Sequence, residues 1–181
     1  MRNLLISLIC LFSAAVMAAP NVEVETSMGN FTIELDSDNA PITTANFLRY
    51  VEDGSYEGTV FHRVIRGFMA QGGGFDTDMN QIKTYAPIKN ESSNGLKNNT
   101  ATIAMARTSN PDSATRQFFI NYNDNDFLNP SAKGPGYAVF GKVTKGFKVV
   151  EEMAMQQTAS IGNYHDVPVT AIVINNVTVQ K

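Results

Sequence analysis

The side chains best placed to do chemistry in this chain gather around Arg63, inside the run Phe61-His62-Arg63-Val64-Ile65. Successive side chains of a strand point to opposite faces, so the run places Phe61, Arg63 and Ile65 on one side and His62 on the other. A guanidinium between two large apolar side chains has two accounts. It lines a concave site, or it serves structure by snorkelling at a rim or pairing with a carboxylate, because an unpaired buried charge is costly. Phe68, Met69 and Gln71 come directly after Gly67, and Gln117-Phe118-Phe119 again alternates an amide with aromatics. With Phe127 and Leu128 they compose an apolar pocket edged by one cation and two amides, although each taken singly is ordinary core material.

Other chemistries lack their parts. There is no Gly-x-Ser-x-Gly elbow for a nucleophilic serine. Gly72-Gly73-Gly74 lacks the Gly-Lys-Ser/Thr ending of a phosphate loop. The pairs Asp76/Asp78 and Asp124/Asp126 sit in turn-rich segments, where aspartate serves the turn. Two distant histidines and one cysteine make a metal site improbable, so neither metal nor cofactor is expected. His62 is expected as a packed, hydrogen-bonded structural imidazole, and His165, after Asn163-Tyr164, as a solvated turn residue. The formal charge of −3 argues against a nucleic-acid binder, which carries a basic stripe.

These residues need elements to hold them. Val22, Val24 and Thr26 alternate with Glu23 and Glu25, and Phe31, Ile33 and Leu35 with Thr32 and Glu34, across a turn at Ser27-Met28-Gly29-Asn30: a hairpin. Asn39-Ala40-Pro41 opens a helix with an apolar stripe at Thr44, Phe47, Leu48 and Val51, ended by Gly54. Further strands are predicted at 60–65, 100–106, 117–121, 137–143 and 169–179, and a second helix around Phe147, Val150, Met153 and Ala154. Residues 75–99 and 124–135 have no clear period, and such long irregular stretches are often functional. Seven or eight short strands and two helices suggest a mostly β architecture, a closed barrel or sandwich with helices over its open faces.

Residues 1–19 form a different segment. Arg2 supplies a positive start, residues 4–18 are apolar apart from Ser7 and Ser13, and small residues close the run before Pro20. This pattern predicts a cleaved signal peptide, cut after Ala18 or Ala19; its apolar stretch is shorter than the ~20 residues of a membrane span. Cleavage removes the only cysteine, Cys10, and the one leader arginine, which leaves 13 basic against 17 acidic side chains, a net of −4. The remainder, 20–181, is expected to be a single domain in an exported, periplasm-like compartment, with no membrane attachment after cleavage.

The runs FHRVIRGFMAQGGG at 61–74, ATIAMAR at 101–107, QFFIN at 117–121, DNDFLN at 124–129 and YAVFGKV at 137–143 resemble the cyclophilin family. The resemblance spans nearly all of the chain after the leader, with the motifs in order and at the family's spacing. It implies a closed eight-stranded antiparallel β-barrel capped by two α-helices, and rotation of the peptide bond before proline as the activity. It further implies Arg63 as the catalytic cation, oriented by Gln71, and a proline pocket of Phe68, Met69, Phe119 and Leu128. Ala106, Arg107 (through its backbone) and Gln117 would hold the flanking residues, with Phe127 and Tyr137 bordering the pocket. The sequence departs from the family pattern at Arg66 (often Pro), Gly74 (usually Asp), Phe127 (Trp in many eukaryotic members) and Tyr137 (His in those members). The Phe127 departure implies weakened cyclosporin binding. Proline-containing polypeptides are the implied partners, and a monomer is the default expectation. The rival from another class is a proline-segment binding module or holdase chaperone that uses the same pocket without turnover.

Overall fold

The computed structural model describes residues 19–180; the predicted signal peptide up to Ala18 lies outside them. The chain opens with the predicted hairpin, β1 (Asn21–Thr26) and β2 (Gly29–Leu35). Their inward residues Val22, Val24, Phe31, Ile33 and Leu35 are fully buried, while Glu23, Glu25, Thr32 and Glu34 are less so, as the two-residue period requires. The helix α1 (Pro41–Glu52) follows, with Pro41 in its first turn, where a missing N–H costs nothing. Its N-cap, Ala40, has no capping side chain. The carboxylate of Glu91 serves instead, accepting from the backbone N–H of Ile42 (3.1 Å) and Thr43 (2.8 Å) and from the Thr43 hydroxyl (2.7 Å).

Then come β3 (Phe61–Ile65), β4 (Met69–Gly72), β5 (Thr102–Met105), β6 (Phe118–Asn121), β7 (Val139–Lys145), the short helix α2 (Phe147–Met153), β8 (Thr158–Ile161), β9 (Tyr164–Pro168) and β10 (Ile174–Gln180). Eight strands form one antiparallel sheet in the order β10-β1-β2-β7-β5-β6-β4-β3, and β8 pairs with β9 in a separate hairpin. The main core lies on the inner face of the curled sheet, where Phe47 of α1 meets Phe118 edge-on at 5.7 Å and Phe140 at 5.2 Å.

Two expectations need correction here. The eight strands do not close into a barrel through a continuous ladder. The edge strands β3 and β10 meet only at one isolated bridge, Val60 to Val173, with short backbone links such as Phe61 N–H to Ile172 (2.9 Å) and Ile174 N–H to Thr59 (2.8 Å). Beyond that seam β9 lies alongside β3, where a ninth strand of the sheet would otherwise continue. The β8–β9 hairpin itself is the second surprise, because its first strand is exposed throughout and only four residues long. His165 therefore sits on a strand, exposed, 2.9 Å from the Ser160 hydroxyl, and not in a turn.

Candidate active site

The strand carrying Arg63 is not regular. Phe61 pairs with Gly72 and Arg63 with Gln71, so two steps on β3 oppose one on β4, and His62 is the extra residue of a bulge. The simple alternation expected for Phe61, Arg63 and Ile65 therefore fails. Phe61 turns into the main core, 5.9 Å and edge-on to Phe118, while Arg63 and Ile65 face the other side of the sheet. The bulge is what separates the guanidinium from the barrel core and aims it outward.

On that outer side β4, β5 and β6 present a second, smaller apolar cluster: Met69, Ala104, Phe119, Leu128 and Val139, with Phe68, Ala106 and Tyr137 packed against it. Phe118 and Phe119 divide between the two clusters because adjacent residues of β6 point to opposite faces. A concavity of about 160 Å3 opens on this cluster, lined by Arg63, Phe68, Met69, Gln71, Ala106, Arg107, Phe119, Leu128 and Tyr137. Its floor is greasy and closed, with Met69 2%, Phe119 4% and Leu128 8% exposed. Its polar edge is Arg63 opposite Gln71, paired across β3 and β4.

Nine of the eleven residues singled out in the sequence thus surround one depression. The other two stand just outside it. Gln117 does not line the cavity but accepts a 2.8 Å hydrogen bond from the Gln71 amide. Phe127, 74% exposed, stacks on Phe68 with centroids 5.4 Å apart and extends the apolar surface outward. Two glycines make room for side chains here, Gly74 for Gln117 and Gly73 for Tyr56 and Phe118. A Cβ on Gly74 would overlap the Gln117 side chain, and Gly73, at φ +82, would drive a Cβ to 2.8 Å from the Tyr56 ring.

The sequence pattern of the cyclophilin type peptidyl-prolyl cis-trans isomerase/CLD family matches residues 21–179. This chain belongs to that family and is a cyclophilin-type peptidyl-prolyl cis-trans isomerase. It is 54% identical over 171 residues to a peptidyl-prolyl cis-trans isomerase of Acinetobacter baylyi, covering 94% of this chain and 91% of that protein. It is 51% identical to peptidyl-prolyl cis-trans isomerase A of Dickeya dadantii, covering 94% and 90% of the two chains. Among solved structures, a cyclophilin type isomerase of Cryptosporidium parvum superposes with a TM-score of 0.75 at 25% identity, over 90% of this chain and 98% of that one. The same parasite protein has been crystallised in the presence of the dipeptide Ala-Pro (TM-score 0.74, 26% identity, 89% and 99% coverage).

Several supports of the cyclophilin site were not singled out in the sequence. A chain of buried amides stands behind the pocket: Asn125 donates to the Phe68 carbonyl (3.0 Å) and to Asn121 (2.8 Å), and Asn121 donates to Asn98 (3.3 Å). Asn98 in turn donates to Asn129 (3.1 Å) and to the Tyr137 carbonyl (3.3 Å). This network ties the backbones of Phe68 and Tyr137 to the turn Asp126–Leu128. Asn121, Asn125 and Asn129 recur every four residues, a spacing that could have drawn notice. Arg107 folds back over the Tyr137 ring (4.5 Å) and donates to the Gly136 (3.2 Å) and Pro135 (2.8 Å) carbonyls, so its side chain braces the pocket wall.

His62 is buried (5% exposed), packed on Phe75 at 4.6 Å, and its Nδ1 has no hydrogen-bond partner, so the expectation of a hydrogen-bonded imidazole needs correction at that atom. Burial pushes its pKa down to about 4, which keeps it neutral and unsuited to acid-base work at ordinary pH. The unfolded chain takes up a proton near pH 6.5 that the fold refuses until about pH 4. Stability from this group is therefore complete above pH 6.5 and declines as the pH falls, by about 3 kcal/mol near pH 4. Urea unfolding at pH 7.5 and 4.5 should show this loss in the wild type and a much shallower loss in His62→Gln. Equal slopes for the two proteins would remove the assignment.

Proposed function

We propose that Arg63 is the catalytic cation of this isomerase, that Gln71 orients it, and that Phe68, Met69, Phe119 and Leu128 hold the proline ring. The observation that carries this reading is that the bulge at His62 sets a guanidinium on the rim of the one apolar depression on the outer face of β4 and β6. Ala106, the backbone of Arg107, and Gln117 hold the residues flanking the proline, while Phe127 and Tyr137 border the pocket. Ala106 is suited to this role because its N–H is already spent on the Gln117 carbonyl (2.9 Å), which fixes the strand edge beside the pocket.

The physical task is to lower a rotation barrier of roughly 18–20 kcal/mol that arises from amide resonance. No bond is made or broken, so no nucleophile is needed. At the twisted transition state the proline nitrogen regains a lone pair that the planar amide lacks. A donor aimed there stabilises the twisted form more than either planar ground state, and that difference is the catalysis. The apolar floor holds the ring while the preceding carbonyl turns, and it keeps competing water away. A guanidinium is protonated at any ordinary pH, so the donor is always available.

The apolar run before Pro20 supports a cleaved leader, with 20–181 as the working domain and the folding of exported, periplasmic proteins as its setting. The pocket reading is tested by exchange NMR on a short Ala-Pro peptide. Sub-stoichiometric protein should speed cis/trans exchange, with peptide-induced shifts centred on Phe68, Met69, Phe119 and Leu128. Line broadening without faster exchange would instead mark a binding module or holdase, and shifts centred elsewhere would refute the pocket.

A further inference from the structure

The ion pair between Arg63 Nε and Asp166 Oδ2, at 3.7 Å, is the only one among the described residues, and it reaches the pocket-rim guanidinium from outside the pocket. We propose that Asp166 is a positioning residue for the isomerase, holding the Arg63 guanidinium by its Nε from the β8–β9 hairpin while the two terminal nitrogens stay free for substrate. This rests on the catalytic reading of Arg63 given above.

Three observations converge on it. Both side chains are 41% exposed, and an exposed pair of this kind adds little stability, so the fold gains almost nothing from it. Asp166 adopts φ +60 in the middle of β9, a left-handed conformation that Asp tolerates better than most residues. It sits in a bulge, where His165 and Asp166 together oppose Ser160 of β8. Tyr164 packs edge-on against Phe75 (5.1 Å), and Phe75 against His62 (4.6 Å). His62 is the bulge residue that turns Arg63 outward. Aromatic packing thus joins the two elements that carry the pair, the strand bearing Arg63 and the hairpin bearing Asp166.

At 3.7 Å the carboxylate acts on Nε as a charge rather than as a hydrogen-bond acceptor, and its attraction favours guanidinium positions on the side of the β8–β9 hairpin. Positioning of this kind matters to the rate and not to the fit of the planar substrate, because the donor is used only in the twisted state. Asp166→Asn is the informative change. Asn tolerates the left-handed backbone as Asp does and keeps the shape while removing the charge. The expected result is a kcat three- to tenfold lower, a KM within twofold of wild type, an unchanged urea midpoint, and a displaced, broadened Arg63 Nε–H resonance. In an Arg63→Ala background the same change should have no further effect on turnover.

An unchanged kcat in Asp166→Asn, or an equal loss in both backgrounds, overturns the positioning role while leaving Arg63 catalytic. Near-normal turnover by Arg63→Ala alone is a different outcome: it removes the catalytic reading of Arg63, and the role of Asp166 falls with it.

Discussion

Arg63→Ala lowers kcat/KM for a short X-Pro peptide at least ~100-fold, the equivalent of about 2.7 kcal/mol of transition-state stabilisation. The fold should be untouched, because Arg63 is part-exposed and its one ion pair, to Asp166, is a surface pair worth little. Binding of the planar peptide should change far less than turnover, since Met69, Phe119 and Leu128 remain in place to hold the ring. Arg63→Lys should restore only part of the loss, because an ammonium is a point charge without the planar fork of a guanidinium. Protease-coupled or NMR exchange assays measure the rate, and circular dichroism checks the fold. A well-folded Arg63→Ala protein with near-normal turnover would exclude Arg63 as the catalytic donor.

Arg116→Met has the largest expected effect on stability. Arg116 is 1% exposed, yet among the described residues no carboxylate lies within ion-pair distance. Its charge is spread over backbone carbonyls instead: Nε donates to Gly73 (2.6 Å), Nη1 to Lys83 (2.9 Å) and Nη2 to Ser55. Its guanidinium carbon lies 5.0 Å from the Tyr50 ring centroid and 5.4 Å from that of Tyr56, and the Tyr56 hydroxyl donates to the Arg116 carbonyl (2.8 Å). One side chain thus ties the end of α1, the glycine turn after β4 and the irregular stretch 75–99 into one unit. Met fills the stem's volume but leaves the carbonyls unserved. Charged hydrogen bonds are worth ~1.5–3 kcal/mol each and water recovers part of that, so the net loss should be about 3 kcal/mol. That corresponds to a melting temperature roughly 6–12 °C lower for a chain of this size. Activity should fall as well, since Arg116 immediately precedes Gln117, the partner of Gln71. A urea midpoint within experimental error of wild type would refute this account.

What was legible from residues alone is local. The β1–β2 hairpin follows from a period of two residues, and the start of α1 from Pro41 with an apolar stripe behind it, both of which a short window displays. The motif runs placed nine of eleven candidate residues around one pocket. The β8–β9 hairpin was missed although it carries a turn signal, Gly162-Asn163, between its strands. Its one alternation, Ala159 and Ile161 against Thr158 and Ser160, is too short to mark a strand.

By itself, then, the sequence determined which side chains the family's motif runs carry: Arg63, the amides Gln71 and Gln117, and the apolar residues around them. The tertiary structure decided how these meet. Whether Arg63 faces core or pocket depends on pairing register, and a register shift is a property of two strands, not of one. Whether the sheet closes depends on what lies beside β3, which is a hairpin about a hundred residues away in the chain. Caps and braces also act across long separations, 48 residues for Glu91 on Thr43 and 43 for Arg116 on Gly73. A polar side chain's partner is chosen by proximity in the folded state, and no local period records it.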